Sequence, residues 1–286
     1  MEPTHRAVPG ASDLSLNLVQ WSQEGEPLLM LHGFGHSARV WDPMAKSLAA
    51  KYQCLALDLR GHGDSDYDPS FNYHHVMIGK DLISVLDHLE IPQATIVAHS
   101  TSGHALIGLA ARFPDRLKRL VLVDAGAQLK GKGGGGGGDA SFEPVFKRPE
   151  QYAKMLKMMY RRASMDTLET LAHHWLKQRD DGMWIPKLDP GFYKPKSKED
   201  PKHKKDFDRE AWAKKEEGKL WADVAKITCP TLVVRGAESK MLSEPTVQKM
   251  CEIMPNAEGA AVEGASHNIM IDNPAGMTDA LNKYLL

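Results

Sequence analysis

The chain alternates between short apolar runs and segments with apolar residues at helical spacing. The runs at 27–31, 54–58, 95–98 and 120–124 stay mostly apolar until they reach a polar or small residue. Such runs are typical of strands buried on both faces of a parallel sheet. A fifth run, 14–21, alternates between apolar and polar residues and predicts an edge or hairpin strand.

Helical spacing and turn residues separate these runs. The pattern predicts helices at 45–50, 76–89, 105–111, 244–254 and Pro274–Leu285. It also predicts two later strands, at 231–234 and 260–262. Strands that alternate with helices form βαβ units with right-handed crossovers. The predicted fold class is therefore α/β, with a mostly parallel twisted sheet flanked by helices.

The middle of the chain departs from this alternation. Six consecutive glycines at 133–138 predict a flexible linker, because such a run has no preferred conformation. Beyond the glycines, 149–177 has apolar residues at helical spacing and predicts a helical segment. The mixed lysines and acids of 194–219 predict a solvated surface extension.

One serine lies between a predicted strand, 95–98, and a predicted helix, 105–111. The small residues Ala98 and Ser102 flank Ser100 two positions away on each side, which lets the chain turn sharply and project the hydroxyl from the edge of the sheet. This pattern predicts that Ser100 is a nucleophile; the alternative is a serine that only caps the helix. The motif is an imperfect Gly-x-Ser-x-Gly, since Ala98 and Ser102 replace both glycines.

The predicted strand 27–31 ends in the sequence His32-Gly33-Phe34-Gly35. Open α/β sheets bind ligands at the carboxyl ends of their strands, where backbone N–H groups are free. These N–H groups are candidates for holding an oxyanion. An ordinary glycine turn is the alternative interpretation.

Five motifs, in this order, resemble those of the α/β-hydrolase fold family of serine ester hydrolases, lactonases and carbon–carbon hydrolases. They are the sequence His32-Gly33-Phe34-Gly35, the loop 58–65, the turn at Ser100, the strand and turn 230–236, and the loop Gly264-Ala265-Ser266-His267. The resemblance covers nearly all of the chain outside its middle. It implies an α/β core at 1–127 and 221–286, with a helical cap inserted at 128–220 that would cover the active site.

The resemblance also implies a role for each candidate residue. His267 follows the nucleophile in chain order and would be the general base that takes the proton from Ser100 and returns it to the leaving group. The backbone N–H groups of Phe34 and Thr101 would form the oxyanion hole. No cofactor and no metal are expected.

The acid of the catalytic triad is where this sequence departs from the family pattern. Lys240 aligns with the family's aspartate, and a lysine there would lower the affinity of the histidine for a proton. Asp124, at the end of the preceding strand of the sheet, is one replacement, and Glu238 is another. A site without a functioning acid is the third possibility.

Composition limits the partners. The 286 residues include 36 basic and 37 acidic side chains, a formal net charge of -1, and 42% of the residues are apolar. This balance gives no reason to expect nucleic acid or a membrane as a partner, so we expect a small-molecule substrate. Three cysteines without paired spacing, and no targeting or membrane-spanning segment, predict a cytoplasmic protein. The sequence predicts no oligomeric state.

We therefore predict a hydrolase that cleaves a small ester, lactone or similar carbonyl substrate through Ser100, His267 and Asp124. The first alternative is a catalytically impaired binding protein on the same fold, which Lys240 and the replaced elbow glycines favour. The second is a cofactor-free lyase or oxygenase, in which serine and histidine act as acid and base.

Overall fold

The apolar runs of the sequence form the centre of an eight-stranded sheet. The computed structural model describes residues 2–129, 143–193 and 208–286. The strands are β1 (Thr4–Pro9), β2 (Ser15–Gln20), β3 (Glu26–Leu31), β4 (Tyr52–Leu57), β5 (Ala94–His99), β6 (Leu117–Val123), β7 (Leu176–Gln178), β8 (Trp184–Pro186), β9 (Thr231–Gly236) and β10 (Ala257–Val262). The large sheet has the order β1-β2-β4-β3-β5-β6-β9-β10, and β7 and β8 form a separate hairpin.

The sheet is mostly parallel, as predicted. Strand β1 pairs antiparallel with β2, which pairs antiparallel with β4. From β4 to β10 every neighbouring pair is parallel. The sequence analysis did not predict β1, because most of its side chains are exposed and it lacks an apolar run.

The helices flank both faces of this sheet. They are α1 (Asp42–Leu48), α2 (His75–His88), α3 (Thr101–Arg112), α4 (Pro149–Met159), α5 (Met165–Trp175), α6 (Arg209–Val224), α7 (Glu244–Ile253), α8 (Ile269–Asp272) and α9 (Pro274–Leu285). Within the described ranges, none of these helices combines the length and apolarity needed to span a bilayer.

Apolar side chains fill both faces of the sheet. Two successive residues of β5 show the arrangement, since Ile96 packs with side chains of α2 and α3 whereas Val97 packs with side chains of α1 and α9. Both are fully buried. A strand with two buried faces needs apolar residues at every position, which is why these strands were recognisable as continuous runs.

Two predictions about the middle of the chain are wrong in part. The predicted helical segment 149–177 contains α4 and α5, separated at 160–164, because the Ser164 hydroxyl caps α5 by accepting the N–H of Thr167. Its last two residues, Leu176 and Lys177, belong to strand β7. The end of the predicted surface extension 194–219 is helix α6, which packs against α3.

The poly-glycine run at 133–138 and residues 194–207 lie outside the described residues. The division into a core at 1–127 and 221–286 and a cap at 128–220 stays a prediction. Helices α4 and α5 of that insertion join the same apolar cluster as α1 and α9.

A buried ion pair holds the loop between β4 and α2. Arg60 is 1% exposed, and its Nε and Nη2 atoms each donate to Asp81 at 2.7 Å. Its Nη1 donates to Asp68, also at 2.7 Å. Bidentate, charge-assisted hydrogen bonds of this kind fix geometry strongly. The loop that contains Arg60 and His62 is therefore anchored to the first turns of α2.

Candidate active site

The turn between β5 and α3 is the sharp elbow that the sequence predicts. Strand β5 ends at His99, α3 begins at Thr101, and Ser100 between them has φ 53° and ψ −116°. A side chain other than glycine is strained in this region, and such strain is concentrated at functional sites. The elbow places Ser100 at the carboxyl edge of the sheet.

Hydrogen bonds explain why a serine can replace the second glycine of the elbow motif. Ser102 is fully buried, and its Oγ lies 2.9 Å from the carbonyl oxygen of His99 and 3.1 Å from that of Leu31. The hydroxyl thus ties the elbow to the end of β3. The close approach that requires glycine occurs at Gly103, where an added Cβ would lie 2.3 Å from the Cβ of Ala125.

Three of the predicted site residues form one hydrogen-bonded series. The Nε2 atom of His267 lies 2.9 Å from the Oγ of Ser100, and its Nδ1 lies 2.6 Å from the Oδ2 of Asp124. An ionised carboxylate only accepts, so the Nδ1 carries the hydrogen and the Nε2 is free to accept from the Ser100 hydroxyl. The Asp124 side chain is completely buried, whereas that of His267 is 25% exposed.

Groups from β9 and the loop after it hold the Asp124 carboxylate. Its Oδ1 accepts the backbone N–H of Gly236 at 3.1 Å, and its Oδ2 accepts the hydroxyl of Ser239 at 2.6 Å. Asp124 itself has φ 45°, a left-handed conformation that aspartate tolerates better than most residues. The sequence pattern does not identify Ser239 as a partner of the acid. Its position next to Lys240, which aligns with the family's aspartate, is the feature of the sequence that could have pointed to it.

The residue at the family's acid position and the alternative carboxylate both lie away from the imidazole of His267. Lys240 is exposed. Glu238 pairs with Arg162 at the surface. Asp124 is thus the carboxylate that contacts the ring of His267. The loop after β9 turns Ser239, and not Lys240 or Glu238, toward the Asp124 carboxylate.

His99 positions the loop that carries His267. Its Nε2 donates to the backbone carbonyl of His267 at 2.9 Å, and its ring stacks on that of His36, with 5.6 Å between centroids. The ring of His36 in turn stacks on Trp175 at 4.9 Å. Sequence reasoning did not identify His99, because a buried histidine before the nucleophile has no distinguishing pattern.

The two backbone N–H groups predicted to hold an oxyanion flank Ser100. Among the described residues, neither the N–H of Phe34 nor that of Thr101 has a hydrogen-bond partner. Thr101 begins α3, so its N–H lies at the positive end of the helix dipole. At Gly33 an added Cβ would lie 2.5 Å from the Nδ1 of His99 and 3.2 Å from the Cβ of Ser100, so glycine lets β3 end beside the nucleophile.

A small cavity adjoins these N–H groups. Its volume is about 70 Å³, and Phe34 and Thr101 are among its lining residues. The rest of its lining comes from the loop after β4, from α2 and from Phe192. Within the described ranges, no three histidine, cysteine or acidic side chains are grouped closely enough to hold a metal ion.

Several histidines around the site are buried, and burial disfavours their charged form. It lowers the pKa of His32 to about 4 and that of His62 to about 3. It also holds the pKa values of His36 and His99 well below the ordinary 6.5. These four side chains are therefore neutral at neutral pH.

Comparison with known proteins agrees with this architecture. The model of the alpha/beta hydrolase family matches residues 28–280. The esterase YbfF of Escherichia coli is 23% identical over 93% of this chain and 96% of its own, and the 3-oxoadipate enol-lactonase 2 of Acinetobacter baylyi is 25% identical over 96% and 94%. The crystal structure of an E-2-(acetamidomethylene)succinate hydrolase covers 99% of both chains, with a TM-score of 0.80 and 21% identity. At this identity the structural likeness shows the fold alone.

We expect the free energy of unfolding to decrease as the pH falls below 6.5, because the buried histidines take up protons once the chain unfolds. For His62 the pKa is about 3 in the folded chain and 6.5 as its ordinary value. The contribution of neutral His62 to the free energy of unfolding is complete above pH 6.5 and is lost as the pH falls toward 3. Each such histidine contributes at most about 1.4 kcal/mol per pH unit.

Urea unfolding followed at about pH 7.5 and about pH 5.5 measures this dependence. The His62→Asn variant should lose less stability between the two values than the wild type. The exposed His5 provides the control, since His5→Gln should leave the pH dependence unchanged. Equal stability of the wild type at both pH values would contradict the assignment of neutral buried histidines.

Proposed function

This chain belongs to the alpha/beta hydrolase family, and we propose that it is a serine hydrolase that cleaves a small ester, lactone or similar carbonyl substrate. The observation that carries the proposal is the hydrogen-bonded series from Asp124 through His267 to Ser100. The backbone N–H groups of Phe34 and Thr101, which have no partner in the part of the chain that the structure describes, add to it. The substrate class follows relatives named as an esterase and an enol-lactonase.

In the proposed reaction, the Oγ of Ser100 attacks the carbonyl carbon and forms a carbon–oxygen bond. The Nε2 of His267 takes the hydroxyl proton, and the π electrons of the carbonyl move onto its oxygen. The N–H groups of Phe34 and Thr101 donate to that oxygen. Each such donor contributes roughly 10² to 10³ in rate.

Collapse of the tetrahedral intermediate breaks the bond to the leaving oxygen, which receives the proton from His267. The acyl group then remains on Ser100. A water molecule attacks the acyl carbonyl, with His267 again taking and returning a proton, and the free acid leaves. The serine is regenerated and no cofactor takes part.

Asp124 supports this chemistry through the imidazole. Its carboxylate holds the tautomer with hydrogen on Nδ1 and stabilises the imidazolium that forms during attack. Hydrogen bonds from Gly236 and Ser239 hold the carboxylate in place. Lys240 needs no catalytic role in this scheme.

The contacts of Asp124 weaken the main reason for the binding-protein alternative, which was Lys240 at the family's acid position. The Ser102 hydroxyl lies within hydrogen-bond distance of two carbonyl oxygens, which gives the altered elbow a support of its own. We find no observation that favours the lyase or oxygenase alternative.

We also propose that the inserted segment covers the site. The hydroxyl of Tyr160 lies 3.1 Å from the Nε2 of His36, and the ring of Phe192 packs edge-on against that of Phe34 at 5.0 Å.

A cytoplasmic location and the exclusion of nucleic acid and membrane as partners stay predictions from composition and cysteine usage.

Ser100 should be labelled covalently by a fluorophosphonate probe, because an activated serine attacks such electrophiles. We expect turnover of short-chain p-nitrophenyl esters, and Ser100→Ala should lower kcat/KM by at least about 10³-fold. Mass spectrometry of the labelled peptide and initial rates measure both effects.

The matched control for this test is Ser164, an exposed serine that only caps α5. The Ser164→Ala variant should retain labelling and turnover. A folded wild-type protein that is neither labelled nor active on any ester of the panel would contradict the proposed function.

The acid assignment predicts that activity is sensitive to substitution at Asp124 and insensitive to substitution at Lys240 and Glu238. Asp124→Asn should lower kcat/KM by up to about 10⁴-fold, because the histidine loses the partner that sets its tautomer. Lys240→Asp and Glu238→Gln should change kcat/KM by less than about threefold, since neither residue contacts the imidazole.

Circular dichroism of the Asp124→Asn protein controls for loss of the fold. A large gain in activity for Lys240→Asp would show that the acid belongs after β9. Full activity of Asp124→Asn would show that His267 works without this carboxylate.

A further inference from the structure

The acid of the proposed site is contacted by a serine as well as by the histidine. In the described part of the chain, the Oδ2 atom of Asp124 accepts two hydrogen bonds, one from the Nδ1 of His267 and one from the hydroxyl of Ser239, each at 2.6 Å. The other carboxylate oxygen accepts the backbone N–H of Gly236 at 3.1 Å. The imidazole therefore shares its acceptor atom with a hydroxyl.

The surroundings of the Ser239 Oγ fix the direction of its bond to Asp124. The backbone N–H groups of Met241 and Leu242 lie 3.1 and 3.4 Å from this oxygen. They occupy its lone pairs, and an ionised carboxylate only accepts, so the hydroxyl hydrogen lies toward Asp124. The turn after β9 thus holds one hydroxyl as a donor to the acid.

Backbone hydrogen bonds hold the turn that carries Ser239 against the loop that carries His267. The N–H of Ser239 donates to the carbonyl of Gly236 at 2.9 Å, and the N–H of Glu238 donates to that of Ala265 at 3.0 Å. These bonds do not involve the Ser239 hydroxyl. A variant without the hydroxyl therefore keeps the backbone bonds that set the path of the turn.

Two donors on one carboxylate oxygen compete for the same negative charge. A donor to the ionised form stabilises that form and leaves less charge for a second partner. In the proposed reaction, Asp124 stabilises the imidazolium of His267. With Ser239 in place this stabilisation is smaller, so His267 gives up its proton more readily and is a neutral base down to a lower pH.

The other imidazole rings near His267 carry no charge at neutral pH. The ring of His99 packs against it, with 4.8 Å between centroids. Burial holds the pKa values of His99 and His36 well below the ordinary 6.5 and lowers that of His104. These three rings therefore do not titrate together with the base.

Charged side chains on the neighbouring loops have partners or face solvent. Asp272, on α8, accepts the backbone N–H and the hydroxyl of the residue before His267. Glu238 pairs with Arg162, and Lys240 is exposed. Among the described residues, the charged group that contacts the imidazole is the carboxylate that Ser239 also binds.

We propose that Ser239 is a positioning residue that sets the lower pH limit of the reaction, because it holds the Asp124 carboxylate and moderates its attraction for the imidazole proton. This inference rests on the proposed serine hydrolase function and adds a control of the base to it. Ser239 acts through Asp124 and does not contact the reacting atoms.

The Ser239→Ala variant tests the proposal through the pH dependence of kcat/KM for p-nitrophenyl butanoate, measured between about pH 5 and pH 9. On the acid side kcat/KM falls as the base takes up a proton. We expect the midpoint of this fall to move to higher pH by roughly 0.5 to 1 pH unit, because the carboxylate then binds the imidazolium more strongly. Above the midpoint, kcat should fall by up to roughly tenfold, since the carboxylate loses a group that aligns it, while KM stays within about twofold.

Two further substitutions at the same position grade the donor. Ser239→Thr retains the hydroxyl and should keep the wild-type midpoint. Ser239→Cys supplies a weaker donor, so its midpoint should lie between those of the wild type and Ser239→Ala. If Ser239→Ala does not fold, as judged by circular dichroism, the midpoint of Ser239→Cys decides the test.

The matched control is Ser243, in the same loop. Its hydroxyl caps α7 by accepting the N–H of Thr246 and does not contact Asp124. The Ser243→Ala variant should have a lower melting temperature and an unchanged midpoint, since a lost helix cap affects stability alone.

The outcomes separate this inference from the proposed function. Active, folded Ser239→Ala and Ser239→Cys proteins with the wild-type midpoint, or with a midpoint at lower pH, would overturn the inference and leave the serine hydrolase intact. An equal shift in Ser243→Ala would also overturn it, because the shift would then follow from a loosened loop. A wild type that is neither labelled by a fluorophosphonate nor active on any ester would overturn the proposed function, and this inference with it.

Discussion

The hydrogen bond from His267 Nδ1 to the buried carboxylate of Asp124 is the contact on which the candidate site depends. It fixes the tautomer of the imidazole, and this tautomer leaves Nε2 as the acceptor for the hydroxyl of Ser100. A completely buried carboxylate is stable only with several donors, and Gly236 and Ser239 supply the others. The same contacts therefore satisfy a buried charge and orient the base.

The order of the parallel strands brings these groups together. Strands β3, β5, β6, β9 and β10 are neighbours in that order, and each ends at the same edge of the sheet. The residues after successive strand ends are Phe34, Ser100, Asp124, Ser239 and His267. Local features then orient three of these residues. Ser100 and Asp124 have positive φ, and a hydrogen bond from His99 holds the loop of His267.

Much of this arrangement could be predicted from the sequence because it depends on local pattern. Strands buried on both faces appear as continuous apolar runs, and the elbow at Ser100 has small residues at defined spacing. The sequence named Asp124 ahead of Glu238 as the acid but could not exclude Glu238 or a site without an acid, since the choice depends on the path of the loop after β9. That path turns Ser239 toward Asp124 and leaves Lys240 exposed. The exposed strand β1 lacks an apolar run, so no periodicity indicated it.

Each role in the proposed site depends on a named atom. The crystal structure of the protein after reaction with a fluorophosphonate tests it most directly. We predict phosphorus bonded to the Oγ of Ser100, a phosphoryl oxygen that accepts from the N–H groups of Phe34 and Thr101, and His267 Nδ1 still bonded to Asp124. An adduct on another side chain, or a His267 ring that has turned away from Asp124, would contradict the account.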